Sequence, residues 1–71
     1  MMRRGILLEL KAQQGFGVIK DENEQDILFC LNEVSQEIKP GMPLQFEIMM
    51  SAHGLIAQSV MICSMIMELN F

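Results

Sequence analysis

Gln14-Gly15-Phe16-Gly17-Val18-Ile19-Lys20 decides how this chain is read. Two glycines bracket one phenylalanine, and a short β-branched run follows. As a strand, the stretch puts Phe16 and Val18 on one face and Gly17 and Ile19 on the other. Strand glycines mark a bulge, or a place where a ligand or another backbone comes close. Neither glycine has a Cβ, so Gly15 and Gly17 are expected to flatten the surface beside the Phe16 ring. A bare ring on a sheet face is the basic unit of a base-stacking platform. The same residues also fit a twisted strand whose glycines relieve crowding around a half-buried Phe16. A G-x-G motif without its context does not choose between the two.

The context comes from both sides. Residues 5–11 read as a first strand with Leu7 pointing inward, and residues 12–14 as a polar turn. After the second strand, residues 21–26 carry Asp21, Glu22, Glu24 and Asp26. Their spacing does not fit a calcium loop, so a solvated hairpin turn is expected. Residues 27–31 form a third strand, in which Ile27 and Phe29 alternate against Leu28 and Cys30. Residues 32–38 predict one turn of helix with Asn32 as its N-cap. Lys39-Pro40-Gly41 is a turn signal. Pro43 opens a fourth strand, where a missing donor is tolerated. There Leu44, Phe46 and Ile48 alternate with Gln45 and Glu47, a period of two. Residues 51–54 make a turn and residues 55–62 a fifth strand. His53 at the loop tip has no partner in the sequence and is given no catalytic role.

Composition narrows the functional classes. The chain has 71 residues, enough for one domain and one small core. Such a chain buries about 60% of its unfolded surface, and its stability should be about 4–10 kcal/mol. A closed barrel suits this length because closure removes exposed edges. Nine carboxylates stand against five Lys and Arg, so little counterion release on nucleic acid is expected overall. Four of the basic residues, Arg3, Arg4, Lys11 and Lys20, lie in the N-terminal third and could form a local patch. Cys30 and Cys63 are too few and too far apart for a zinc site. With no signal peptide ahead of them, they are read as reduced thiols of a cytoplasmic protein. No apolar run reaches the length of a membrane helix. No nucleophile–base pair, metal cluster or phosphate loop is visible, so no enzyme, metal or cofactor is expected.

Read in order, these residues resemble the bacterial cold-shock domain. That family carries Lys-Gly-Phe-Gly-Phe-Ile on its second strand, answered here by Gln14 to Ile19. Its third-strand Asp-Val-Phe-Val-His-Phe is answered by Asp26-Ile27-Leu28-Phe29-Cys30-Leu31. Its Ser-Ala-Ile is met loosely by Asn32-Glu33-Val34, and its Gly-Gln-x-Val-x-Phe-Glu by Gly41-Met42-Pro43-Leu44-Gln45-Phe46-Glu47. Its closing Gly-Pro-Gln-Ala-Ala-Asn-Val is answered by Gly54-Leu55-Ile56-Ala57-Gln58-Ser59-Val60. The resemblance covers residues 5–60 and leaves 61–71 as an apolar C-terminal extension of one domain. It implies an all-β fold: a five-stranded antiparallel Greek-key barrel of the OB type, with a short helical turn between the third and fourth strands.

The resemblance also implies a partner and a site. Family members bind single-stranded RNA or DNA through aromatics on the first three strands. Carried over, the nucleic-acid-binding positions are Lys11, Phe16, Val18, Lys20, Leu28 and Cys30. Only Phe16 keeps its ring. Glu9 stands at the first-strand tryptophan, Leu10 at the next aromatic, and Val18, Leu28, Cys30 and Leu31 at others. Gln14 replaces the lysine before the motif, and Ile56 replaces the last-strand glutamine. Losing three stacking platforms costs at least about 3 kcal/mol, roughly two decades of affinity. Weakened binding is therefore expected. The alternative is a protein-interaction or self-association domain, because the replacements are aliphatic and an exposed apolar patch marks a contact surface. The run Val60-Met61-Ile62-Cys63-Ser64-Met65-Ile66-Met67 would add to it. That run could extend the fifth strand, pair with a neighbour's edge, cover the aliphatic face, or fold back to finish a small core.

Overall fold

The structure is a computed structural model that describes residues 2–34, 36–52 and 54–63. Five strands follow in order: β1 (Arg3–Lys11), β2 (Phe16–Asp21), β3 (Asp26–Cys30), β4 (Pro43–Ser51) and β5 (Gly54–Ile62). A 3-10 turn, Leu31–Glu33, follows β3. The strands close into a barrel in the order β1-β2-β3-β5-β4, which is the expected all-β architecture. The seams are antiparallel except β3–β5, which is parallel. A ring with an odd number of strands cannot alternate direction all the way round, so one parallel seam is a topological necessity.

Strand periodicity fills the inside. Leu7, Ile19, Ile27, Phe29, Leu44 and Phe46 are the largest fully buried side chains. Each contributes about 1.5–3 kcal/mol by leaving water. Ala57 and Val60 of β5 and Ile38 of the β3–β4 connection complete the cluster. The first residues of the apolar extension belong to the barrel as well. Ile62 pairs with Leu44 and Met61 with Gln45. Cys63 is buried, and its N–H donates to the Pro43 carbonyl at 3.0 Å. β5 ends at Ile62, where the sequence ends the fifth strand, and the buried Cys63 follows it without extending the strand. Residues 64–67, like His53, lie outside the described residues.

A bulge in β1 determines which side chains reach the outer face. The β1–β2 register shifts between Leu7 and Glu9, leaving Leu8 as the extra residue. Strict alternation from the buried Leu7 would have turned Glu9 into the core. One extra residue reverses the facing of everything after it. Leu8 and Glu9 are both exposed, and Leu10 packs against the core instead. On the other edge of β1, Leu7 continues the pairing beyond Ile6–Pro43: its N–H donates to the Met42 carbonyl at 2.9 Å, and its carbonyl accepts the Gly41 N–H at 2.7 Å.

Of the two readings of the opening motif, the structure bears out relief of crowding at Gly17 beside a half-buried Phe16. Gly17 faces inward, and a Cβ there would lie 2.6 Å from two ring carbons of Phe29. Its missing side chain makes room for the largest core ring and does not bare Phe16. Gly15 ends the β1–β2 turn at φ +85 with open space around it, so its role is backbone conformation. Its carbonyl accepts the N–H of Leu31 at 3.0 Å.

Two turn expectations need correction. The segment after Lys20 is not wholly solvated, because β2 runs one residue further and its parity turns Asp21 inward. Asp21 is only 5% exposed. Its Oδ1 accepts the N–H groups of Asn23 and Gln25, each at 2.9 Å. The carboxylate thus caps the turn, while Glu22, Glu24 and Asp26 remain exposed as expected. The helical turn is the second case. It spans Leu31–Glu33, with Cys30 rather than Asn32 at its N-cap and no side-chain capping bond. Leu31 packs against the core and its N–H is held by Gly15, so the chain has already turned before Asn32. Glu33 and Gln36 instead tie this connection to β5, accepting the N–H groups of Ser59 at 3.2 Å and Ile62 at 3.3 Å.

Candidate functional site

The registers place the carried-over residues in three rows across the outside of the barrel. Lys11, Phe16 and Cys30 pair in sequence across β1, β2 and β3. The adjacent row is Glu9, Val18, Leu28, Ile56 and Met49, and it crosses all five strands. The third is Ile6, Lys20 and Asp26. All six expected positions therefore share one outer surface, with Phe16 between the turn and the aliphatic row. Phe29 points inward, and Leu31 packs against the core, so neither offers a ring-sized platform outside.

Phe16 borders an open depression of about 280 Å³, lined also by Gly15, Leu28, Phe29, Cys30 and Ile56. Phe16 and Val18 are half-buried, Cys30 is exposed, and Leu28 is 43% exposed. The depression is almost wholly apolar. It can receive a flat or branched apolar group, and Phe16 is the one aromatic side chain it offers from the outer face. Beside it, Leu10, Lys11, Ala12, Gln13 and Gln14 border a second hollow of about 300 Å³ with amide and ammonium groups.

Charge on this surface is locally balanced. Lys11 Nζ lies 3.5 Å from Glu9 Oε2, and Lys20 Nζ lies 3.7 Å from Asp26 Oδ1. All four groups are well exposed, so each pair contributes about 0–1 kcal/mol to stability. Their larger effect is on ligands, because an incoming phosphate meets each ammonium with a carboxylate beside it. Glu9 reaches this position only because of the bulge at Leu8. Sequence reading named Glu9 as a replaced aromatic but missed both ion pairs. It also missed Met49, whose place was signalled by the alternation with Ile48. Among the described residues, no group of three or more His, Cys, Asp or Glu is placed to hold a metal ion.

No protein-family model matches the sequence, and neither does any curated protein. Among solved structures, Drosophila Unr CSD456 is similar, with a TM-score of 0.75 and 24% identity. The similarity covers 89% of this chain and 27% of that one, so this chain spans about a quarter of its length. At this identity the likeness speaks to the fold alone: a five-stranded closed barrel with one 3-10 turn, of the cold-shock OB type.

Proposed function

We propose that this barrel binds single-stranded RNA or DNA weakly, through one stacking position at Phe16. The observation that carries the reading is the placement of that ring. It stands on the outer face of β2, in register with Lys11, at the rim of an open apolar depression. One base stacks on Phe16 and its edge rests against Leu28 and Ile56. Lys11, directly across from Phe16 on β1, and Lys20, two rows along β2, meet the sugar-phosphate backbone. Binding involves no covalent chemistry. The cold-shock OB fold and the residue-by-residue resemblance to that family both support this face as the binding face.

The magnitudes make the interaction weak. A single stacked base supplies about 1–3 kcal/mol. Two lysines give a salt dependence with a slope of only about −1.4 on a single strand. Glu9 and Asp26 reduce what those lysines offer.

This yields a direct test by fluorescence anisotropy with a labelled pyrimidine-rich oligonucleotide at low salt. Binding should saturate. Glu9→Gln and Asp26→Asn should each tighten it by about 1.5- to 5-fold, the range of one exposed ion pair. Unchanged or weaker binding in both variants would mean that Lys11 and Lys20 do not meet the ligand.

A further inference from the structure

We propose that the outer edge of β4 pairs with the same edge of a second copy of this chain. β1 covers β4 only along Pro43 to Phe46, opposite Ile6 to Arg3. β4 nevertheless continues to Ser51, paired with β5 on its other side. Among the described residues, no strand covers the β1-side edge of 47–50. In an antiparallel ladder, alternate residues turn their N–H and C=O away from the partner. Counted from the hairpin-closing pair Ser51 and Gly54, those of Ile48 and Met50 face away from β5. Soluble proteins usually blunt such an edge with lysine, proline or a bulge. Residues 47–51 contain no lysine or proline. The nearby register shift lies earlier, between Gln45 and Glu47. Met49 is 41% exposed and Met50 71%.

Register and charge point to a second copy as the occupant. A two-fold axis at Met49 sets Ile48 opposite Met50 of the copy, and Met50 opposite its Ile48. This arrangement uses both outward-facing residues, and it is self-complementary, as an isologous interface must be. It also places Glu47, the one charge in the segment, opposite Ser51 rather than opposite its own copy. A register that set Glu47 against Glu47 would need Phe46 and Leu44, which β1 already occupies. Pairing joins the two aliphatic rows end to end, so Val18, Leu28, Ile56 and Met49 meet the same four side chains in reverse order. The contact is small, in the range of weak and transient interfaces. The proposal does not depend on nucleic-acid binding, because Phe16 and Lys11 lie in a different row.

Sedimentation equilibrium of the full chain up to millimolar concentration tests it. The wild type should show a reversible monomer–dimer equilibrium. Met49→Lys and Met49→Glu each set like charges against each other at the two-fold axis, and each should weaken association at least tenfold. An equimolar mixture of the two should recover it as a heterodimer. Met50→Pro removes an N–H that the β4–β5 ladder does not use, so the barrel should remain folded by amide NMR while association falls. A wild type that stays monomeric overturns the proposal. So does a dimer that all three variants leave unchanged, since the contact would then lie elsewhere.

Discussion

Gly5→Ala is expected to destabilise the barrel by about 3 kcal/mol, the upper end of ordinary overpacking. Gly5 sits where β1 is held on both edges, opposite Asp21 of β2 and Leu44 of β4. A Cβ at that position would lie 2.5 Å from the Lys20 carbonyl oxygen, 2.7 Å from Ile19 Cγ2 and 3.1 Å from the Asp21 Cα. Two of these obstacles are backbone, so relief requires prising β1 off β2. For a domain of this size, such a loss lowers Tm by about 12–24 °C. Against a total stability of about 4–10 kcal/mol it is severe. Gly17→Ala provides a contrast, because its Cβ meets the Phe29 ring. A side-chain obstacle can be trimmed, so Phe29→Leu should recover part of the Gly17→Ala loss. No single trimming should rescue Gly5→Ala. Thermal denaturation followed by circular dichroism reads all four proteins. A loss below about 1 kcal/mol at Gly5 would contradict the close approach of β1 and β2 described here.

The second large effect concerns binding. Val18 and Leu28 are cross-strand partners on the outer face, next to the row that holds Phe16. Val18→Phe together with Leu28→Phe would turn an aliphatic surface into a continuous aromatic one. Each ring adds about 1–3 kcal/mol of stacking. The double variant should therefore bind a pyrimidine-rich single strand about two to four decades more tightly. Both side chains are partly or largely exposed, so the core is untouched. Anisotropy titration at fixed low salt measures the gain. Phe16→Ala in the same background should remove about tenfold or more of it. An affinity that two added rings leave unchanged would place the ligand on another surface.

The part of this molecule that a sequence can disclose is the part governed by strand period. Leu44 and Phe46, Ile27 and Phe29, and Ile19 all face the core; alternation groups them by face, and in β3, apolar on both faces, it takes the resemblance to turn Phe29 inward. The site residues were legible only through the resemblance, because nothing in the composition marks an acidic, aliphatic face for a ligand. What stayed hidden was local geometry set by tertiary partners. The bulge at Leu8 has no glycine or proline to announce it, and strict alternation would set Leu7 and Leu10 on opposite faces, whereas both meet the core. Its consequence is large, since it carries Glu9 onto the outer face beside Lys11. Asp21 looked like one more turn carboxylate, and only the extra residue of β2 makes it an inward cap. Asn32 is a good N-cap by type, but the Leu31 contact with the core and with Gly15 turns the chain two residues sooner, with Cys30 at the N-cap. Gly17 was read for what its absent Cβ exposes on the outside. The space is used on the inside, by Phe29.

Phe16 is proposed as the stacking position of an otherwise aliphatic face. Titrating a short pyrimidine-rich single strand into the isotopically labelled protein at low salt, and following amide and aromatic resonances, tests this most directly. Saturable shifts should centre on Phe16, Val18, Leu28 and Cys30, with smaller ones at Lys11 and Lys20, all abolished by Phe16→Ala. Absence of any saturable shift, or shifts that persist unchanged in Phe16→Ala, would contradict a stacking role for Phe16.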